Sequence, residues 1–178
     1  MEGLRVVAVM TQGILSGISD DAVKAVTCFS NAEWNSKSRC ALVRVLDNTV
    51  NIYPSGKFVV MGAKDMEAAA DSVSEVVGMY EAVGIPASVE SHRIICTNMI
   101  WDGDITINLE LLSRELENLG SWRSFYDPEL GPKSLSISAE GISAIVNHSG
   151  SVLINSDEPV DWDEVSNICE FIARFEVA

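Results

Sequence analysis

Apolar and polar positions alternate along several short stretches of the chain, and two of these stretches share one plan. Residues 53–62 read Tyr-Pro-Ser-Gly-Lys-Phe-Val-Val-Met-Gly, and residues 147–156 read Asn-His-Ser-Gly-Ser-Val-Leu-Ile-Asn-Ser. In both, a Ser-Gly pair suited to a tight turn precedes an apolar run. The pattern therefore predicts two hairpins of the same design, one in each half of the chain.

Each predicted hairpin leads into a helix that begins at an acidic residue. The first helix is predicted to start near Asp65 and the second near Asp161, where Glu164 is placed for a capping box. Apolar residues then follow at helical spacing. They are Met66, Ala69, Val73, Val76, Val77 and Tyr80 in the first helix, and Val165, Ile168, Cys169, Ile172 and Phe175 in the second.

The segments before the two hairpins also match each other. In each half, a predicted strand (4–11 and 93–102) precedes a predicted helix (20–29 and 109–119). A predicted loop follows the helix, at residues 33–35 and 126–130. Further strands are then predicted over residues 39–46 and 49–53 in the first half, and over residues 134–138 and 142–147 in the second. The order favours an α+β fold of two repeats, residues 1–86 and 87–178. Their strands are expected to form one curved antiparallel sheet with the helices on its convex face. The other face would be left bare for a partner.

The charge of the chain limits the partners that this bare face can have. Twelve Lys and Arg against 26 Asp and Glu give a formal net charge of −14 and a pI near 4.4. Such a balance by itself counts against tight binding to a polyanion, although a local basic patch can exist on an acidic body. The start of the chain is a poor signal peptide, and no apolar run is long enough to span a membrane. An intracellular protein without membrane contact is therefore expected.

Residue patterns for chemistry are missing from the sequence. The four cysteines form no Cys-x-x-Cys pair, and neither His92 nor His148 has a second ligand at metal-binding spacing. Asp102-Gly103-Asp104 lacks the remainder of a calcium loop. There is no nucleophile elbow, phosphate loop or dinucleotide-binding glycine pattern. We therefore expect no enzyme, no cofactor, no metal and no small-molecule substrate.

Four segments carry a resemblance to a known family. Tyr53–Lys64 is similar to the hairpin Phe-Ser-Ser-Gly-Lys…Thr-Gly-Ala-Lys of the TATA-box-binding protein family, and Asn31–Asn35 to its Asn-Ala-Glu-Tyr-Asn loop. Tyr126–Leu130 resembles its Tyr-Glu-Pro-Glu-Leu loop, and Asn98–Ile100 its Gln-Asn-Met-Val segment. These landmarks lie in the same order over nearly the whole chain, so the chain resembles a divergent member of that family.

The resemblance implies a function and a set of residues. Family members form a pseudo-two-fold saddle whose concave sheet enters the minor groove of AT-rich DNA. By resemblance, the DNA-binding residues are Val7, Lys37, Arg44, Tyr53, Lys57, Val59, Met61, Lys64, Asn98 and Ile100. Asp127 and Glu129 would lie in the loop that receives a basic, factor-B-type transcription factor. Strand alternation extends the predicted concave face to Val9, Asn51, Ile145, Asn147, Leu153 and Asn155.

The chain departs from the family at the positions of its phenylalanine wedges. Tyr53 is a tolerable substitute, but Ser38 or Arg39, Gly131 and Asn147 occupy the other three positions. Sharp kinking of DNA is therefore expected to be impaired, mainly at the end that the second half would contact.

Lysine positions are lost as well, since Ser151 and Glu158 replace the second-half equivalents of Lys57 and Lys64. The alternative is a protein of the same fold that no longer binds DNA and acts as a protein-interaction or regulatory module. In either case the protein would work in the cytoplasm of a prokaryote or archaeon, or in a eukaryotic nucleus.

Overall fold

The structure, a computed structural model, describes residues 3–127 and 134–177 and confirms the α+β class. The strands are β1 (Leu4–Ser16), β2 (Ala32–Asn35), β3 (Cys40–Val45), β4 (Asn48–Ile52), β5 (Lys57–Ala63), β6 (Ser88–Asp102), β7 (Arg123–Phe125), β8 (Ser134–Ala139), β9 (Ile142–Asn147) and β10 (Ser151–Asp157). A 3₁₀ helix covers Ala22–Cys28, and the α-helices are α1 (Met66–Ala82), α2 (Leu109–Leu119) and α3 (Trp162–Ala173).

The chain divides into two compact units. We call residues 8–96 the first unit, and residues 1–7 together with 97–178 the second unit. The division falls inside β1 and β6. The repeat boundary after residue 86 stays a prediction, since it concerns the matching of sequence segments and the compact units are defined by contacts.

The first unit has its helices on one side of its strands. The strands follow the order β2-β3-β4-β5-β1, and each neighbouring pair is antiparallel. Inward-facing side chains of these strands, such as Val43, Val50 and Phe58, form one core with Val73 and Val76 of α1. The opposite side chains of the same strands point away from this core.

The second unit repeats this arrangement. Its strands follow the order β6-β10-β9-β8-β7. Leu135 of β8 and Val146 of β9 are completely buried in a core to which α2 contributes Leu112 and α3 contributes Val165 and Ile172. The apolar periodicity that predicted α3 is thus the periodicity of its buried face.

The two predicted hairpin turns are confirmed. In the first, the Gly56 N–H donates to the Tyr53 carbonyl with an N···O distance of 2.9 Å, and in the second the Gly150 N–H donates to the Asn147 carbonyl at 3.0 Å. Both glycines have positive φ, 79° and 84°, a backbone conformation that is unfavourable for residues with a Cβ atom. This conformation explains why Ser-Gly occurs at the same place in both halves.

The helix starts expected near Asp65 and Asp161 are also confirmed. The Asp65 carboxylate accepts from the Ala68 N–H at 2.8 Å, and the Asp161 carboxylate accepts from the Glu164 N–H at 2.9 Å. Each carboxylate pairs a backbone donor that the helix itself leaves unpaired.

The structure differs from the sequence-based expectations in three elements. The helix expected over residues 20–29 is a 3₁₀ helix, Ala22–Cys28, and the loop expected at residues 33–35 belongs to the short strand β2. Residues 123–125, which were assigned to no element, form the short strand β7. β2 and β7 each pair with a single neighbour, β3 and β8. Hydrogen bonds from that neighbour hold them extended, so their own sequences need no apolar alternation.

None of the helices in residues 3–127 and 134–177 is long and apolar enough to cross a membrane.

Candidate functional site

In each unit, the side of the strands that faces away from the helices is here called the open face. In the first unit it has a continuous row of side chains, because Leu42 is opposite Asn51, Asn51 opposite Val59, and Val59 opposite Gln12. All four side chains are partly exposed. Met61 and Thr49 form the next row. Val59 and Met61 therefore lie on the face that the sequence predicted for them.

Asn51 lies in this row with an unsatisfied polar atom. Its Oδ1 atom is buried and has no hydrogen-bond partner among the described residues. Buried polar atoms are nearly always paired, so an unpaired amide oxygen needs an explanation. Its neighbours Leu42 and Val59 are apolar and supply no partner. The unpaired atom is an acceptor, so it calls for a donor group from a molecule bound at the open face.

The cations predicted for the first unit differ in their freedom. Lys57 begins β5 opposite Ile14 and is partly exposed, and Lys37 is exposed in the turn between β2 and β3. Lys64 is exposed and approaches Asp65 only at 4.0 Å. Arg44, by contrast, donates to the Glu33 carboxylate at 2.8 Å. Three of the four cations therefore have no close ion pair with any described residue, and the fourth, Arg44, is paired with a carboxylate of the same chain.

Val9 was assigned to the wrong face. It is 4% exposed and belongs to the apolar core of the first unit. Thr11 and Leu15 share its orientation, and β1 has an irregular register with β5 between Val9 and Thr11. The assignment failed because every residue from Val6 to Met10 is apolar, so the sequence does not say which of them point inward. Val7 is partly exposed.

The open face of the second unit begins with Asn98 and Ile100 on β6. Both are partly exposed, while the alternate residues Thr97, Met99 and Trp101 are buried. The alternation therefore places Asn98 and Ile100 on the side away from the core, as the sequence predicted.

A second row crosses the open face of this unit on the strands β7 to β10. Phe125 is opposite Ser136, Ser136 opposite Ile145, and Ile145 opposite Leu153. Asn155, opposite Ser143, and Asn147, opposite Ser134, are partly exposed on neighbouring rows. Except for Phe125, which was not predicted, the larger side chains here are those expected from strand alternation.

Two residues of the second open face were missed by sequence reasoning. Phe125 is 66% exposed, more than any other large apolar side chain described, and Arg123 lies two residues earlier on β7. Both line a shallow cavity of about 330 Å³ together with Ser136, Ile145 and Asn155. The signal was present in the sequence as an arginine and an aromatic two residues apart, but no strand was predicted over residues 123–125 to align them.

The predicted partner loop is only partly described. Asp127 is partly exposed at the end of the described segment, and Glu129 and the wedge position Gly131 lie outside the described residues. Ser38 and Arg39, the two candidates for one of the other wedge positions, are both exposed beside Lys37. The geometry of an acidic surface at residues 126–130 therefore stays a prediction.

The most perturbed titratable groups lie away from both open faces. Burial raises the pKa of the Cys169 thiol to about 11 and also raises the pKa of Cys40, which keeps both thiols protonated at neutral pH. Partial burial lowers the pKa of His92, which shares a 2.7 Å hydrogen bond with the Thr11 hydroxyl. No group of three metal-ligating side chains occurs in the part of the chain that is described.

Comparison with known proteins agrees with this geometry. The chain is 24% identical over 163 residues to the TATA-box-binding protein of Pyrococcus furiosus, covering 87% of this chain and 82% of that protein. It is 27% identical over 131 residues to the TATA-box-binding protein of Thermococcus celer, covering 71% and 66%. The solved structure of Methanococcus jannaschii TBP superimposes with a TM-score of 0.75 at 21% identity, covering 96% of this chain and 98% of that one. No family model matches the chain.

Proposed function

We propose that this chain, a divergent member of the TATA-box-binding protein family, is a transcription initiation factor that binds AT-rich duplex DNA through its open faces. A factor-B-type protein would be its partner at the loop that contains Asp127 and Glu129. The proposal assigns it no catalytic role, cofactor, metal or small-molecule substrate, and places its work inside the cell.

The observation that carries the proposal is the open face of the first unit. Val59 and Met61 present apolar side chains there, and the amide of Asn51, whose Oδ1 atom is unpaired, lies in the same row. An AT-rich minor groove offers apolar sugar edges, which suit these side chains, and base acceptors, to which the Nδ2 donors of Asn51 would bind and its Oδ1 atom would not. Lys37, Lys57 and Lys64, whose ammonium groups are loosely held, are suited to phosphate contacts.

The high net negative charge does not exclude this function. Affinity for DNA depends on the charges that reach phosphates, and distant carboxylates are screened beyond about 8 Å at physiological salt. Arg44 can also contact a phosphate. Its exposed ion pair with Glu33 contributes about 1 kcal/mol or less, so a phosphate can replace the Glu33 carboxylate as its partner.

The decisive test is binding to an AT-rich duplex as the salt concentration is varied. We expect binding that weakens steeply with salt, and a Lys57→Glu variant that binds more weakly with a slope of log K against log[salt] reduced by about 0.9. Lys24→Glu is the matched control, because Lys24 stacks on the Trp34 ring at 4.5 Å on the helix side of the first unit. It should have little effect.

The outcome also separates the proposal from its alternative. If the chain fails to bind the duplex at low salt even with a factor-B-type protein present, the DNA-binding function is wrong. A stable complex with that protein in the absence of any DNA shift would identify an interaction module of the same fold. The family position of the chain would be unaffected by that result.

A further inference from the structure

An apolar groove lies between α2 and α3 on the helix side of the second unit. It has a volume of about 380 Å³, and its floor is formed by buried side chains that include Leu116 and Ile172. Leu119, Trp122 and Phe171 form its walls. Leu119 is 57% exposed. The groove therefore leaves accessible apolar surface on the side of the second unit that the proposed DNA contact does not use.

The charged side chains around this groove are mostly acidic. Glu164 and Glu170 line it, and no salt bridge within the described residues involves either carboxylate. α3 carries Asp163 as well and has no lysine or arginine within its length. The one lining cation, Arg174, lies 5.9 Å from the centre of the Phe171 ring at the end of α3. A ligand for this groove should therefore be apolar on one side and basic at its edges.

The shape of the groove favours a helix as the ligand. Two helices that flank an apolar trough accept the apolar face of a third, whose anchors repeat at positions i, i+3, i+4 and i+7. Basic residues beside those anchors would meet Glu164 and Glu170, and complementary charge speeds association and selects the partner. We propose that this groove binds a basic amphipathic helix of a partner protein. This inference does not depend on DNA binding.

A synthetic probe tests the proposal without knowledge of the natural partner. The probe is a dye-labelled helical peptide of leucine and lysine, with leucines at the spacing given above, and its anisotropy is measured with the full chain. We expect saturable binding that Leu119→Asp weakens about tenfold or more, since it places a charge in the apolar contact. Leu119 is exposed, so this substitution should leave the fold intact, which circular dichroism would verify.

A matched variant on the same helix distinguishes binding in the groove from nonspecific hydrophobic binding of the peptide. Leu111→Asp also replaces an exposed leucine of α2, 45% exposed, but Leu111 does not line the groove. We expect it to bind the peptide as the unmodified protein does. Equal weakening by the two variants, or no binding of the peptide at all, would overturn the proposal.

The charge component has its own test. Glu164→Gln combined with Glu170→Gln should weaken binding of the lysine peptide and reduce its salt dependence, whereas Glu115→Gln combined with Glu117→Gln, outside the groove lining, should not. The proposal is wrong if a peptide with glutamate in place of lysine binds equally well. It is also wrong if the groove instead joins two copies of the chain, seen as a dimer that Leu119→Asp dissociates.

Discussion

At the scale of the residue, His92 illustrates how packing changes the chemistry of a side chain. It shares a hydrogen bond with Thr11 at 2.7 Å, and its ring lies against Phe58 with 5.0 Å between ring centres. This apolar contact and partial burial disfavour the charged imidazolium, so the pKa of His92 is lowered. His92 is partly exposed, and its contact with the Phe58 ring keeps it neutral, a role that the sequence did not indicate.

The lowered pKa predicts a pH dependence of stability. As the pH falls, His92 becomes protonated near pH 6.5 in the unfolded chain and only at a lower pH in the folded protein. The contribution of His92 to the free energy of unfolding is therefore fully present above about pH 6.5 and is lost as the pH falls below that value. Urea denaturation at pH 7.5 and 5.5 should show a larger loss at low pH for the unmodified protein than for His92→Gln. Equal losses would contradict the prediction.

Phe125 is a second residue whose role depends on its position in the structure. Its ring is exposed on the open face of the second unit beside Ile145. If that face binds DNA, Phe125→Ala should weaken binding about tenfold and reduce DNA bending, because an aromatic side chain in contact with bases contributes about 1–3 kcal/mol. Fluorescence energy transfer across an end-labelled duplex would measure both effects.

Leu111→Ala is the control for this prediction, because it removes an exposed apolar side chain from the helix side of the same unit. Unchanged affinity and bending in Phe125→Ala would show that the ring does not contact DNA.

At the scale of the element, the 3₁₀ helix of the first unit is held to α1 by a buried hydrogen bond. The Tyr80 hydroxyl donates to the Val23 carbonyl at 2.9 Å, and both residues are fully buried. The corresponding helix in the second unit, α2, has eleven residues and forms a regular α-helix. The shorter element therefore depends more on contacts with its neighbours, because a seven-residue helix is not stable by itself.

Removing that hydroxyl should destabilise the first unit. Tyr80→Phe leaves the Val23 carbonyl buried without its partner, which costs about 1–3 kcal/mol of unfolding free energy. Denaturation in urea would measure the loss, and amide hydrogen exchange of residues 22–28 should become faster. Tyr53→Phe is the matched control: Tyr53 is only partly buried, so its loss should be near zero. A Tyr80→Phe variant as stable as the unmodified protein would refute this account.

At the scale of the whole molecule, the cations of the open faces are unequally distributed. Four predicted DNA-contacting cations belong to the first unit, namely Lys37, Arg44, Lys57 and Lys64. On the second open face, Arg123 lines the cavity beside Phe125, and the predicted DNA-contacting residues there, Asn98 and Ile100, are uncharged. DNA binding should therefore depend mainly on the first unit, with a smaller contribution from the second.

This distribution predicts additive effects on salt dependence. If both open faces contact the duplex, Lys57→Gln and Arg123→Gln should each reduce the slope of log K against log[salt] by about 0.9, and the double variant by about 1.8. Titrations of one AT-rich duplex at several salt concentrations provide the slopes. An unchanged slope in Arg123→Gln would restrict the contact to the first unit.

What the sequence by itself determined are the features that depend on local physics. The hairpin turns at Gly56 and Gly150 follow from the backbone freedom of glycine, and the helix starts at Asp65 and Asp161 from carboxylates that pair free N–H groups. The apolar periodicity of α1 and α3 likewise follows from their need to bury one face. These signals lie within a few residues of one another, so they can be read without knowing the fold.

Tertiary structure decided the features that depend on a neighbour distant in the chain. β7 is a strand because β8 pairs with it, and this pairing places Arg123 and Phe125 on the open face. Val9 faces the core because the register of β1 against β5 turns it inward. The engagement of Arg44 by Glu33 depends on the pairing of β2 with β3. The local sequence hardly predicts these strand pairings and side-chain orientations. The local conformations differ little in free energy, and long-range hydrogen bonds and packing select among them.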